Sequence, residues 1–566
     1  MIKYINTNFF KSIKGKFLSI VKNKKILLVT LASVITLSGC SDRIVIEDPK
    51  VDIDKRPTIE HSQIIQTPSN QNSSSPTTNP NTETNKPAPI VTTKLDEEML
   101  NVIRTEVSLN DSALTQFKNN VSNINVNYQY SELFGTELAL DRYNSMKEYE
   151  SSASVYIVNG KIDKAKLKSV ILENNKEYLS SYSGSRYSEF SSSEFNKVFN
   201  VFLEALEYIV ENGTDLGQLD EKLGDLKILK MSSNGSGVMT DENTILALNL
   251  DVIATNQAKN PNIDYLRTVV LHETNHFGQI SSENEKEKEG YSRNLGISYR
   301  WDDLKVNPLN YSWYNEGAAE KLMTAQYGKQ IEPTVYPNNI KSMDSITLSA
   351  LLRNDVDELT LSQLSLQTDL NELFKIFNCK DEQDKIEVIN MMYAFDITIN
   401  QNTEFFNAYK DKYGKQVENR YDYFSSLNAS IAQTLTKNFY INLSDYLISN
   451  DATLEDIFSN ISVFETEMSR LTKFGSQSYV EENEAFISMY RGIQNEFFGI
   501  IADYLGLETE DITMFYNAYY GDNLSDVSTT SMLDEDELDY VNRKLDSRST
   551  NKRYTINEVG ESFKIR

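Results

Sequence analysis

Histidine is scarce in this chain: three in 566 residues, at positions 61, 272 and 276. Any site that needs imidazole is limited by that count, because nothing after His276 can add another. Cysteine is scarcer still, with Cys40 and Cys379 alone. Only 11 prolines and 22 glycines interrupt the chain, which points to few turns and many helices. Positive charge is in deficit: 56 Lys and Arg stand against 82 Asp and Glu, a net charge of −26. That balance argues against a nucleic-acid partner, which selects a basic surface. The apolar run near the N-terminus, Ile26–Leu37, has 12 residues. A bilayer span takes about 20.

What is present supports a large folded body. Hydrophobic residues make up 39% of the chain, with 25 Phe and 32 Tyr, and the length allows more than one domain around a sizeable core. The first 39 residues read differently. Seven lysines and no acids precede Ile26–Leu37, the pattern of a secretory signal peptide. It ends in Leu37-Ser38-Gly39-Cys40, which resembles a bacterial lipobox. The resemblance implies that Cys40 becomes a diacylated N-terminus, which holds the protein to the membrane on its extracytoplasmic face. The alternative is a chance cysteine after an ordinary signal. Loss of the seven lysines takes the charge from −26 to −33, so a lipid rather than a basic patch makes the membrane contact. With Cys40 acylated, Cys379 has no disulfide partner and reads as a half-buried apolar residue.

Residues 40–94 are dominated by Ser, Thr, Asn, Gln and Pro between Gln66 and Lys94 and read as a disordered tether, with His61 a bystander. Helical periodicity runs through an N-terminal region, 95–224. Its clearest helix has Ser193 as a cap and Phe195, Val198, Phe199, Phe202 and Leu203 on one face, and it stops at Gly213. Two short β-favouring runs, Leu226–Met231 and Asn243–Ile253, open a core at 225–345. Helices return over 346–522, and 523–566 is a charged, Ser/Thr-rich tail. The fold class expected is mainly α with a small β-sheet (α+β), a catalytic core flanked by helical regions.

The stretch "NPNIDYLRTVVLHETNHFGQI" reads as one helix, with Asn262 as its cap and Asp264 in the first turn. His272 and His276 are one turn apart, about 6 Å along the axis, so both imidazoles project from one face. Glu273 is turned about 100° away, able to reach a metal-bound water without binding the metal. Chance places such a His-Glu-x-x-His pattern in at most about three chains per thousand of this composition. The bland alternative is a core helix with hydrogen-bonded histidines. A catalytic zinc needs three protein ligands and an open position, and with no later histidine the third ligand must be a carboxylate. "LNYSWYNEGAAEKLMTAQYGK" offers one: a second helix with Glu316 near its start, Glu320 one turn on, and small Gly317, Ala318 and Ala319 for close packing on the first.

His272-Glu273-x-x-His276 followed by Trp313-Tyr314-Asn315-Glu316-Gly317-x-Ala319-Glu320 resembles the gluzincin metallopeptidases, and its wording resembles the aminopeptidase-like branch of the zincins. The resemblance covers roughly Thr244 to Gly328. It implies one Zn²⁺ per chain held by His272, His276 and Glu316, with Glu320 orienting a ligand histidine from behind. The 39 residues between His276 and Glu316 are about twice the aminopeptidase-like gap and closer to that of lethal factor-like proteases. Exopeptidase and endopeptidase action therefore both stay open. Glu273 is the expected general base on a peptide or protein substrate. The run Thr244–Leu250 is either the edge strand that pairs with an extended substrate or a buried strand. An oxyanion donor has to be Tyr or Arg, since no histidine remains. Relatives of the two branches place a tyrosine after or just before the ligand glutamate, which points to Tyr393 or Tyr311. Two other functions share this pattern: a binding lipoprotein with an inactive core, and a zinc hydrolase of a non-peptide amide.

Overall fold

A computed structural model describes residues 103–519, apart from 147–154, 214–215, 241–243, 280–282, 285–291, 329–335, 368, 415–419 and 472–476. The expected signal peptide, Cys40, the expected tether and the charged tail lie outside the described residues. Among the described residues the fold is mainly α with a few small sheets, 69% helical. No helix among the described residues is long and apolar enough to cross a membrane.

Helices that frame the core and the candidate site include α1 (Asp111–Ser122), α2 (Lys164–Ser181), α3 (Ser192–Asn212), α4 (Leu250–Lys259), α5 (Tyr265–Gly278), α6 (Ser312–Tyr327), α7 (Pro337–Ala350), α8 (Glu382–Asn400), α9 (Arg420–Ser449), α10 (Leu454–Leu471), α11 (Gln477–Leu505) and α12 (Thr509–Tyr519). Their ends follow local chemistry. The α3 cap is Ser191 rather than Ser193: its hydroxyl accepts from the Glu194 amide while the Glu194 carboxylate accepts from the Ser191 amide. The α5 cap is Asp264 rather than Asn262, with its carboxylate accepting from Arg267 N at 3.1 Å. A carboxylate is the better partner for a helix N-terminus, because it also meets the helix dipole.

The sheet before α5 has four strands: β1 (Tyr187–Ser188), β2 (Lys227–Met231), β3 (Gly237–Thr240) and β4 (Ile245–Leu248), in spatial order β1-β2-β4-β3. β4 runs parallel to β2 and antiparallel to β3. All four β4 residues are buried, as expected of a strand covered on both faces. The Thr244–Leu250 run is thus a central strand, and the edge belongs to β3. Ser236 O accepts from Asn249 N, so the Ser236, Val238 and Thr240 peptides face β4 and the Met239 peptide faces outward.

Packing crosses the boundaries expected at 225 and 346, and all described residues belong to one compact unit. α3 lies under α5, with Phe202 and Phe277 ring centroids 5.8 Å apart. α6 is held by the C-terminal helices: Trp313 Nε1 donates to Met392 O on α8 at 2.9 Å, and its ring packs on Phe395 at 4.8 Å. Residues 106–107 pair with 452–453. One hydrophobic cluster therefore runs from Ile103 through Trp313 to Tyr516.

Candidate metal centre

Helices α5 and α6 lie antiparallel and are stitched at three levels. Arg267 donates to Tyr327 O (3.3 Å) and Gln326 O (3.2 Å), Asn275 Nδ2 to Ala319 O (3.3 Å), and Gln279 Nε2 to Asn315 O (2.8 Å). Gly317 serves a different contact from the one its sequence context suggests. A Cβ there would come within 2.8 Å of Met343 Sδ and 3.2 Å of Asn339, so its small size admits α7 rather than α5. Asp396 on α8 fixes the start of α6: buried, it accepts from Ser312 Oγ at 3.0 Å and from the Trp313 backbone amide. Burial raises the Asp396 pKa, against hydrogen bonds from Asn402, Asn400 and Ser312.

These contacts bring three potential ligand atoms together. His276 Nε2 lies 3.1 Å from His272 Nε2 and 3.2 Å from Glu316 Oε2, and His272 Nε2 lies 3.6 Å from that oxygen. The imidazole planes stand at 82°. Metal–ligand bonds of about 2.0–2.1 Å at tetrahedral angles put neighbouring ligand atoms about 3.3–3.4 Å apart, so the triangle has the size of one face of a zinc tetrahedron. Glu316 Oε2 is buried and faces the two imidazoles without a well-formed hydrogen bond, and a buried carboxylate needs a charge or a donor to offset its burial. A cation between the three atoms satisfies it. The donor set, two imidazoles and a carboxylate, also suits zinc. The same proximity appears in the protonation balance of the metal-free protein. Burial lowers the histidine pKa values, but Glu316, with Glu320 also acting on His272, drives both above 6.5. Burial raises Glu316, but the facing imidazoles hold it far below 4.5.

The flanking groups are arranged around the triangle. Glu320 Oε2 is 3.8 Å from His272 Nδ1, within electrostatic reach and beyond hydrogen-bond length. His276 Nδ1 and Gln279 Oε1 are 2.9 Å apart. Glu273 is 4% exposed, and its Cγ lies 3.1 Å from where a Cβ on Gly237 would sit. The base candidate thus lies directly against the edge strand β3. Gly237 closes the Ser-Asn-Gly-Ser-Gly segment that reads as a turn in sequence; here it begins a strand where the backbone passes close over Val269 and Glu273 of α5.

The two tyrosines expected as oxyanion donors are elsewhere. Tyr393 is buried with its ring edge against Phe134 at 5.1 Å, and its nearest charges are Asp396 and Glu404. Tyr311 is fully buried ahead of α6. Both hydroxyls are buried without a hydrogen-bond partner. Their aromatic rings are core: burial of large apolar rings outweighs any cost of the hydroxyl. A tyrosine that does meet the site is Tyr336, just before α7, with its half-buried ring parallel to His272 (centroids 5.8 Å apart, planes 6° apart). No sequence pattern marks it, because the contact depends on how α7 folds back over α6. Cys379 is half-buried, and burial, then Asp384 and Glu387, push its thiol to about 12, which suits an inert packing residue. No family model, curated protein or solved structure matches the chain.

Proposed function

We propose that the chain is a zinc-dependent peptidase of gluzincin type, anchored by a lipid on Cys40 at the extracytoplasmic face of the cell membrane. The observation that carries the reading is the His272–His276–Glu316 triangle, closed to 3.1–3.6 Å around a buried carboxylate oxygen, with Glu273 beside it. Zinc bound there supplies Lewis acidity, polarising the scissile carbonyl and easing deprotonation of water. Glu273 takes the proton of the attacking water and delivers it to the leaving amine. Its place under β3 puts it beside an edge whose Met239 peptide faces outward, the arrangement that binds an extended peptide by strand addition. Tyr336 replaces Tyr393 and Tyr311 as the candidate donor to the developing oxyanion.

The test is Glu273→Gln. The variant keeps the shape of the side chain and leaves the three ligands intact, so it is expected to bind one zinc while peptide hydrolysis falls by about 10²–10⁴-fold. Full hydrolysis by the zinc-loaded variant would remove Glu273 from the reaction. Loss of zinc together with activity would place Glu273 among the ligands instead.

A further inference from the structure

Gln279 belongs to neither helix: it caps α5, is 0% exposed and bears no charge. Its amide nevertheless touches both halves of the centre. Oε1 faces His276 Nδ1 at 2.9 Å, and Nε2 donates to the carbonyl of Asn315 at 2.8 Å. Asn315 immediately precedes Glu316. We infer that Gln279 is a positioning residue of the proposed metal centre, setting the tautomer of His276 and the register of the helix that carries Glu316. This inference rests on the metal-site reading above.

The chemistry runs in one direction. A carbonyl oxygen only accepts, so Asn315 O requires the NH₂ end of the Gln279 amide. That fixes the amide's orientation and turns Oε1 toward His276. An oxygen facing Nδ1 requires a hydrogen on Nδ1, which leaves the lone pair of neutral His276 on Nε2. Nε2 is the atom 3.1 Å from His272 Nε2 and 3.2 Å from Glu316 Oε2. A flipped amide would oppose oxygen to oxygen at Asn315 and NH₂ to N–H at His276. The backbone of α6 thus dictates which nitrogen of α5 can bind a metal. The two histidines are backed differently, a carboxylate behind His272 (3.8 Å) and a neutral amide behind His276. Glu273, Glu316 and Glu320 already crowd the centre, so the amide orients His276 without adding another buried negative charge.

The test is zinc affinity, read by chelator competition on the whole mature chain. Gln279→Met keeps length and volume but offers neither an oxygen to Nδ1 nor a donor to Asn315; the expected result is a loss of about 10–100-fold in zinc affinity. Gln279→Glu keeps an acceptor toward Nδ1 but, ionised, offers no donor to Asn315 O; it is expected to hold the His276 tautomer while binding zinc more weakly than the wild type. Histidine ¹⁵N spectra of the zinc-loaded proteins, simple because the chain has three histidines, should show His276 Nδ1 protonated and Nε2 metal-bound in the wild type and in Gln279→Glu. Wild-type affinity and an unchanged spectrum in Gln279→Met would overturn the inference and leave the metal centre standing. If Gln279→Met does not fold, a zinc-loaded Gln279→Glu protein whose His276 Nδ1 carries no proton overturns it. A wild-type protein that binds no zinc overturns both readings.

Discussion

The side chains at the centre make opposite demands on pH with and without metal. In the metal-free protein, His272 and His276 sit above 6.5 and Glu316 below 4.5. A raised histidine adds stability that is complete below its unfolded value and is lost as pH climbs through the folded one. A lowered glutamate adds stability that is complete above its unfolded value and is lost as pH falls through the folded one. Both contributions are whole between 4.5 and 6.5. Metal-stripped protein is therefore expected to melt at a higher temperature as pH falls from about 8 to about 6. Zinc-loaded protein should do the reverse, because protons compete with the ion for both imidazoles. Calorimetry with and without chelator reads the two slopes, and slopes of the same sign would count against a metal at these residues. The tyrosines give a second prediction at this scale. Tyr336→Phe should lower kcat by about 10²–10³-fold with zinc retained. Tyr393→Phe should leave activity unchanged and stability equal or slightly higher, since it deletes a buried hydroxyl that has no partner. The reverse outcome in an activity assay would return the role to Tyr393.

The chain's elements show how far patterns carry. The histidine spacing on α5 and the Asn-Glu-Gly segment on α6 were legible because a helix places residues four apart on one face whatever surrounds it. Gln279 and Tyr336 were not, since each acts through a contact between elements distant in sequence. The edge strand is illegible for a related reason. Gly237–Thr240 continues a Gly/Ser-rich turn and carries little apolar signal, whereas Ile245–Leu248, of the same length, is apolar throughout because it is buried on both sides. β3 yields its own prediction. A methyl on Gly237 would lie 2.5 Å from Val269 Cγ1 and 3.1 Å from Glu273 Cγ, and real carbon atoms do not approach so closely. Gly237→Ala must lift the strand from α5 or displace Glu273, at about 1–3 kcal/mol by analogy with overpacked cores. Urea unfolding should show that loss, and peptide hydrolysis should fall further than zinc binding. Unchanged stability and turnover would mean that strand and helix part without consequence, and that β3 does not set the position of the base.

At the scale of the whole molecule, the texture of the sequence suggested a catalytic core at 225–345 between helical neighbours, and the packing gives that segment no independence. Its sheet is completed by Tyr187–Ser188 and its histidine helix rests on Ser192–Asn212. The helix bearing Glu316 is fixed from beyond residue 345: Trp313 donates to Met392 O, Tyr314 to Leu361 O, and Ser312 to Asp396. Two buried aromatic rings at about 150–250 Å² each, at about 25 cal/mol per Å², come to roughly 8–12 kcal/mol. That upper figure is as large as the stability of a typical domain, about 5–15 kcal/mol. A fragment of residues 225–345 should therefore lack fixed near-ultraviolet dichroism and bind zinc weakly. Residues 95–522 should unfold in one transition, with the metal centre and the C-terminal helices lost together, because a single cluster joins Ile103, Trp313 and Tyr516. A folded, zinc-binding 225–345 fragment would show that the C-terminal helices are an appendage. A single transition for 95–522, shared by tryptophan fluorescence and zinc release, would instead make them the scaffold that holds Glu316 in place.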